Sequence, residues 1–369
     1  MTVDLAIVYS PVGGGHRAAA LAVAEAARGR QLEVALVNAF EHAPRWVGDA
    51  YVAAHLAGQN KAPKLYGQLY YGANRRGDVL EPLRIRLDSL VFRSLADHIH
   101  ALAPRAVVAT HHLPLVVLGR ERRKARLSVP LVAVVTDYTA HACWAENGID
   151  LWSVACPVAR ADLESHGASP DRIATVGIPV RSAFERVPPL ARESTRSKVR
   201  VLVTSGGFGA DSMTRVVRSF EGIPGIALTI VCGASAKVQS RVANTVAETG
   251  VDATVIGFEH DMPARMAEAH VVVGKAGGLT ISETLTAGRP MVIASAVPGN
   301  EKTNEQHVIR TGGGVAAEPE EVGRVIDDLR SRGLLESMGR RARASVPTGV
   351  ADRLLDMVLQ RVPLSRAAA

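Results

Sequence analysis

Ten short apolar runs alternating with helically spaced segments constrain this chain more than any other feature. The runs read as strands at Leu5 to Val8, Glu33 to Val37, Ala106 to Ala109, Leu131 to Val135 and Ser153 to Ala155. A second series follows at Arg200 to Val203, Ala227 to Val231, Ala253 to Ile256, His270 to Val273 and Pro290 to Ile293. Both faces of these runs are apolar, so each strand must be covered on both sides, and parallel sheets with helices between their strands do this. Ten strands with two beginnings exceed one doubly wound sheet. The 369-residue chain therefore reads as α/β, with two Rossmann-like domains whose parallel sheets face a central cleft. The stretch Arg181 to Lys198 is rich in Pro, Arg and Ser and weakly periodic. It places a linker at 183–198, between a first domain over 1–182 and a second over 199–369, whose terminal helices can pack back on the first.

A hydrophobic content of 47% and a mean hydropathy of +0.10 exclude a disordered tail. No apolar run approaches the ~18 residues of a spanning helix, and the first residues lack the pattern of a secretory signal. Cys143, Cys156 and Cys232 are odd in number and far apart, against a disulfide framework or a structural zinc site. A cytoplasmic protein is expected. The net charge of +7 favours anionic partners, but arginine dominance weakens that inference, and no strongly basic half points to nucleic acid. The densest cluster, Arg120 to Arg126, reads as a solvated helix face.

From Phe40 to about Leu95 the alternation lapses. Phe40, Trp46, Tyr51, Tyr66, Tyr70 and Tyr71 gather there with Arg45, Lys61, Lys64, Arg75, Arg76, Arg84, Arg86 and Arg93. Amphipathic aromatics with cations suit a bilayer headgroup region, and equally a helical layer packed on the sheet.

The loops after the strands carry the candidate chemistry. Gly13, Gly14 and Gly15 follow the first strand, and His16 stands at the tip of that loop, opening a helix near Arg17. Glycines let backbone N–H groups approach an anion, and the helix N-terminus adds a positive end. Gly13 to Ala18 also fits a dinucleotide fingerprint, although the acidic ribose partner is missing after Asn38. In the second half, Ser205 to Gly209 and Gly274 to Thr280 are two further glycine loops at strand ends, suited to a diphosphate. Lys275 is a candidate cation there, and Glu283 an acceptor for ribose hydroxyls. Pro298 to Asn304 presents Asn300, Glu301 and Asn304, whose directional groups can read a sugar. His111 and His112 follow one strand; Asp137, His141 and Trp144 follow another. HExxH, Walker A and DxD patterns are all absent, so no metal ligand set is expected.

These segments together resemble the monogalactosyldiacylglycerol synthases and processive diacylglycerol glucosyltransferases. The resemblance lies in Ser10 to Arg17 (SPVGGGHR), Thr136 to Trp144, Gly177 to Phe184 (GIPVRSAF), Gly257 to Met262 (GFEHDM), Gly274 to Glu283 and Pro298 to Asn304 (PGNEKTN). The second half is more distantly similar to the lipid II-forming N-acetylglucosaminyltransferase. The resemblance implies a GT-B fold and an inverting, metal-independent hexosyltransferase without cofactor, using a UDP-sugar and a diacylglycerol-like lipid. It implies His16 as general base, or at least as the residue that positions the acceptor hydroxyl, with Gly14, Gly15, Asp137, His141 and Trp144 toward the acceptor. On the donor side it implies Phe258 at uracil and Glu283 at ribose. Gly206, Gly207, Lys275, Gly277 and Gly278 would surround the diphosphate, and Asn300, Glu301 and Asn304 would lie toward the hexose. Asn300 stands where family members commonly carry Gln, which bears on donor identity. A lipid acceptor further implies peripheral contact with an anionic membrane, at the inner face of the cell membrane. The competing readings are a transferase with a soluble natural-product acceptor, a UDP-sugar 2-epimerase, an NAD-dependent oxidoreductase and a non-catalytic lipid-surface protein.

Overall fold

The computed structural model describes residues 3–11, 14–44, 46, 74, 91–191, 198–206 and 209–362. They group into two compact units. One comprises Met1–Arg181 with Pro298–Asn300 and Gly349–Ala369, the other Ser182–Val297 with Glu301–Thr348.

The first unit is built on six strands: β1 (Leu5–Tyr9), β2 (Val34–Asn38), β3 (Ala106–Ala109), β4 (Leu131–Val134), β5 (Leu151–Val154) and β6 (Ile173–Thr175). They pair in parallel in the order β2-β1-β3-β4-β5-β6. Leu5, Ile7, Val108, Val132, Val134 and Leu151 pack against Ala20, Val23, Ala24 and Ala27 of the helix Gly15–Gly29. Small alanines let that helix lie close to the sheet. The helix Val350–Leu359 joins the same core through the fully buried Leu354, Leu355 and Val358. Each such burial stabilises by roughly 1.5–3 kcal/mol. Arg30 also donates to Asp352 and Asp356 across this contact.

The second unit repeats the architecture with β7 (Val199–Thr204), β8 (Ile226–Val231), β9 (Ala253–Ile256), β10 (Val271–Lys275), β11 (Met291–Ser295) and β12 (Gly314–Ala316). Their parallel order is β12-β11-β10-β7-β8-β9. Two of the twelve strands among the described residues, β6 and β12, escape the apolar-run reading. Both are three-residue edge strands with a single buried position each, too short to show a period. The segment read as a linker begins with a short helix, Ser182–Glu185, because Phe184 is fully buried. The carbonyls of Val187 and Pro188 accept from Arg343 and Arg289, which anchors residues 182–188 to the second unit. Arg289 is itself buried and donates to four further carbonyls, at Met266, Ala267, Ala269 and Ala287; burial lowers its pKa to about 10.

Most of the aromatic and basic stretch, including Tyr51, Tyr66, Tyr70 and Tyr71, lies outside the described residues. Of its members that are described, Phe40 is buried edge-on against Phe92, Trp46 is 73% exposed, and Arg93 begins the helix Arg93–Leu102. Among the described residues no helix is long and apolar enough to cross a membrane.

Burial, with the charges of Arg200 and Arg289, pushes the His270 imidazole down to about 4, while its Nδ1 accepts from the Arg200 N–H. The folded pKa lies below the unfolded value near 6.5, so the unfolded chain binds the extra proton. This stability is complete above about pH 6.5 and is lost as pH falls toward 4, by about 3 kcal/mol at most. Urea unfolding of His270→Gln should show a correspondingly shallower loss than the wild type over that window. Identical slopes would remove His270 as the cause.

Candidate active site

In each sheet the strand order reverses direction once, between β1 and β3 in the first unit and between β7 and β10 in the second. Loops leaving the carboxyl ends of strands at such a reversal diverge to opposite faces and leave room for a ligand. The glycine loops singled out in the sequence sit at these two places.

In the first unit, Gly14 adopts φ +70° and ends the loop after β1; the helix starts at Gly15, two residues earlier than expected, with His16 in its first turn. His16 Nδ1 lies 2.6 Å from the carbonyl oxygen of Thr110 and 3.0 Å from Thr136 Oγ1. A carbonyl can only accept, so Nδ1 carries the proton and Nε2 keeps its lone pair. Thr110 Oγ1 donates in return to the His16 carbonyl at 2.8 Å. Three neighbouring strands, β1, β3 and β4, thus deliver His16, Thr110 and Thr136 to one point. Burial lowers the His16 pKa below its ordinary value, opposed by the Asp137 carboxylate and by the hydrogen bond to Thr110. His111 stands edge-on to His16 with ring centroids 4.5 Å apart, and its Nδ1 caps the next helix by accepting from Leu113 N–H. Thr110 and Thr136 were not singled out in the sequence. Their only signal there is a position one or two residues beyond a strand's apolar run.

The loop after β4 is held by Asp162, whose Oδ2 accepts from Thr139 Oγ1 at 2.6 Å and from Ala140 N–H at 3.0 Å. Asp137 accepts from Asn300 Nδ2 at 2.8 Å, and Asn300 groups with this unit. His141 Nδ1 accepts from Cys143 N–H and so caps the turn Ala142–Trp144, while Trp144 is buried and its carbonyl accepts from the Trp152 indole. Asp137 thus meets Asn300, and His141 meets its own turn.

In the second unit, Gly206 (φ +33°) follows β7; Gly207 lies outside the described residues. A Cβ on Gly206 or on Gly277 would stand 3.7 or 3.8 Å from Thr280 Oγ1, so the loops after β7 and β10 meet at this hydroxyl. Thr280 is the residue here that sequence reading passed over. Gly278 begins the helix Gly278–Thr286, on which Glu283 is half-buried. Lys275 and Glu301 form a buried pair at 2.7 Å, and Glu301 also accepts from Val297 N–H at 2.9 Å. The fully buried Asn304 donates to the Ala276 carbonyl at 3.0 Å. Lys275, Glu301 and Asn304 therefore brace the glycine loop after β10 against the helix Asn300–Thr311. Phe258, after β9, is 61% exposed and meets only the edge of His260, centroid to centroid 4.8 Å, among the described ring contacts. Among the described residues no group of three or more His, Cys, Asp or Glu could hold a metal ion.

Comparison with known proteins finds separate matches for two parts of the chain. Residues 16–180 match the monogalactosyldiacylglycerol (MGDG) synthase family, and residues 200–330 match the glycosyltransferase family 28 C-terminal domain. A processive diacylglycerol beta-glucosyltransferase of Bacillus cereus (strain B4264) is 22% identical over 316 residues, 84% of this chain and 80% of the relative. Its namesake in Bacillus thuringiensis (strain Al Hakam) is 24% identical over 317 residues, with the same coverage of each chain. Among solved structures, MurG of Acinetobacter baumannii superposes with a TM-score of 0.64 at 17% identity, covering 97% of this chain and 99% of that one. A UDP co-structure of MnaA from S. aureus gives 0.63 at 12% identity, covering 100% and 99%. With an MGDG synthase match over its first half, a family 28 match over its second and two six-stranded parallel sheets beneath them, the chain is a glycosyltransferase of GT-B fold.

Proposed function

We propose that this protein transfers a hexose from a UDP-sugar to diacylglycerol or a related membrane lipid, with inversion at the anomeric carbon and without a metal or other cofactor. The observation that carries the proposal is His16, whose Nδ1–H is committed to the Thr110 carbonyl so that Nε2 is left as a base. The names of the relatives, which describe glucosyl transfer to diacylglycerol, supply the acceptor class.

In this reading Nε2 takes the proton of the acceptor hydroxyl as its oxygen attacks the anomeric carbon. The bond from that carbon to the diphosphate breaks, and UDP leaves with the electron pair. Backbone N–H groups at Gly206, Gly207 and Gly278 stabilise the charge that develops on the leaving diphosphate, while Gly277, whose own N–H is spent on the Lys275 carbonyl, shapes the loop around it. Lys275 contributes as one half of its pair with Glu301, which places the glycine loop. The exposed ring of Phe258 receives uracil, Glu283 takes the ribose hydroxyls, and Asn300, Glu301 and Asn304 define the hexose side. Gly14, Gly15, Asp137, His141 and Trp144 shape the acceptor side. The protein then works peripherally on the inner face of the cell membrane, where its lipid acceptor lies.

The test is transfer by the purified protein with EDTA present. UDP-galactose, UDP-glucose and UDP-N-acetylglucosamine are each offered with diacylglycerol in anionic liposomes, and the lipid extract is weighed by mass spectrometry. One or more added hexoses name the donor and establish the acceptor. UDP release without glycolipid discards diacylglycerol and favours a soluble acceptor; a 2-epimerised UDP-sugar discards transfer altogether.

A further inference from the structure

The geometry points to a second anion site in the first unit, made by Arg123 and Arg172 beside Arg122 and suited to a phosphate-monoester dianion. These side chains line a cavity of about 390 Å³ together with Ser128, Gly148 and Asp150. The residues lie just ahead of β4, β5 and β6, at the amino edge of the sheet. His16, Thr110 and Thr136 stand at the carboxyl ends of β1, β3 and β4, so this cavity is separate from the candidate active site.

The walls are fixed by backbone contacts. Gly148 has φ +89°, and a Cβ there would lie 2.5 Å from the Gly119 carbonyl, so only glycine fits this close approach. Arg122 serves the fold: it donates to the carbonyls of Leu127 and Ser128 and pairs with Asp150 at 2.5 Å. Asp150, the one carboxylate lining the cavity among the described residues, is spent on that pair and on the Leu131 N–H. Cations at the end of the helix His112–Arg123 also complement its dipole, which accounts for one or two of them.

Arg123 and Arg172 are left with more donors than the fold uses. Arg123 donates to the Asn147 carbonyl through Nη1, and the same nitrogen forms an ion pair with the buried Glu146 at 3.9 Å. Arg172 donates to the Ile149 carbonyl through Nη1. The Ile149 carbonyl orients Arg172 without neutralising it, and Glu146, paired through Nη1, offsets the Arg123 charge in part. Two oriented planar forks therefore border one cavity with N–H edges to spare, an arrangement that matches an anion with several oxygens. A phosphate monoester offers three terminal oxygens and a charge of about −1.5 to −2 near neutral pH, against at most one net charge on a diester. The same headgroup chemistry can come from a soluble phosphomonoester or from a lipid that carries one.

The test uses the full chain with a UDP-sugar at saturation, which carries no terminal phosphate, so that the proposed donor cradle is already occupied while the second site stays available. Equilibrium dialysis with labelled inorganic phosphate and with glycerol 3-phosphate reads the soluble source. Flotation with phosphatidylcholine vesicles, with and without a phosphomonoester lipid, reads the lipid source. The proposal expects one phosphate per chain, or vesicle binding that depends on the phosphomonoester, and a loss of at least about tenfold in affinity in Arg123→Gln/Arg172→Gln. Soluble binding assigns a soluble ligand, and vesicle binding alone assigns a lipid headgroup; either supports the site. Arg172→Gln, which breaks a single hydrogen bond to Ile149, serves if the double variant unfolds. Binding by neither probe, or binding that the variants leave unchanged, overturns the proposal.

Discussion

His16→Ala is expected to lower hexose transfer by roughly 10²- to 10⁴-fold, the usual contribution of a positioned general base. Binding of the UDP-sugar should stay within about twofold of the wild type, because the proposed donor residues lie on other loops. The pH profile adds a readout that simple damage to the site would not give. Burial lowers the His16 pKa while Asp137 raises it. The base is therefore already neutral at pH 7, and the acid limb of kcat/KM should fall below pH 6.5. Asp137→Asn removes the raising charge and should move that limb to still lower pH. A limb that stays in place, or transfer by His16→Ala at wild-type rate, would show that the base is elsewhere.

Lys275→Met is expected to destabilise the second unit by about 3–5 kcal/mol, because it leaves the Glu301 carboxylate buried without its cation. Both side chains are at most 10% exposed, so solvent does little to screen the loss. Lys275→Met combined with Glu301→Met should recover much of the stability in urea unfolding, since the desolvation cost of the pair goes with its attraction. Donor affinity should fall in the single variant and should not return in the double one, because Glu301 also fixes Val297 N–H beside the glycine loop. Equal destabilisation by the single and double changes would mean that packing, and not charge pairing, holds this loop.

Much of this molecule was legible in its residues, and the limits of that legibility are physical. Strands buried on both faces leave runs such as Leu131 to Val134 in the sequence, so ten of the twelve described strands and the doubled parallel architecture could be read directly. Glycines placed directly after those runs marked the loops at the strand-order reversals, because only that spacing leaves backbone donors at a carboxyl edge. Edge strands β6 and β12 were lost because three residues show no period. The tertiary structure alone decided which polar groups are spent on one another. Lys275 looks in sequence like a free cation and is paired with Glu301, 26 positions later. Thr110 and Thr136, unremarkable in sequence, lie 94 and 120 positions from His16 and reach its Nδ1, and the Thr110 carbonyl sets which nitrogen of the ring carries the proton. Hydrogen bonds and ion pairs join residues at distances that strand order fixes and that no local pattern encodes. The kind of fold was therefore written in hydrophobic periodicity, while the protonation and pairing of the site residues came only with the chain's return to neighbouring strands.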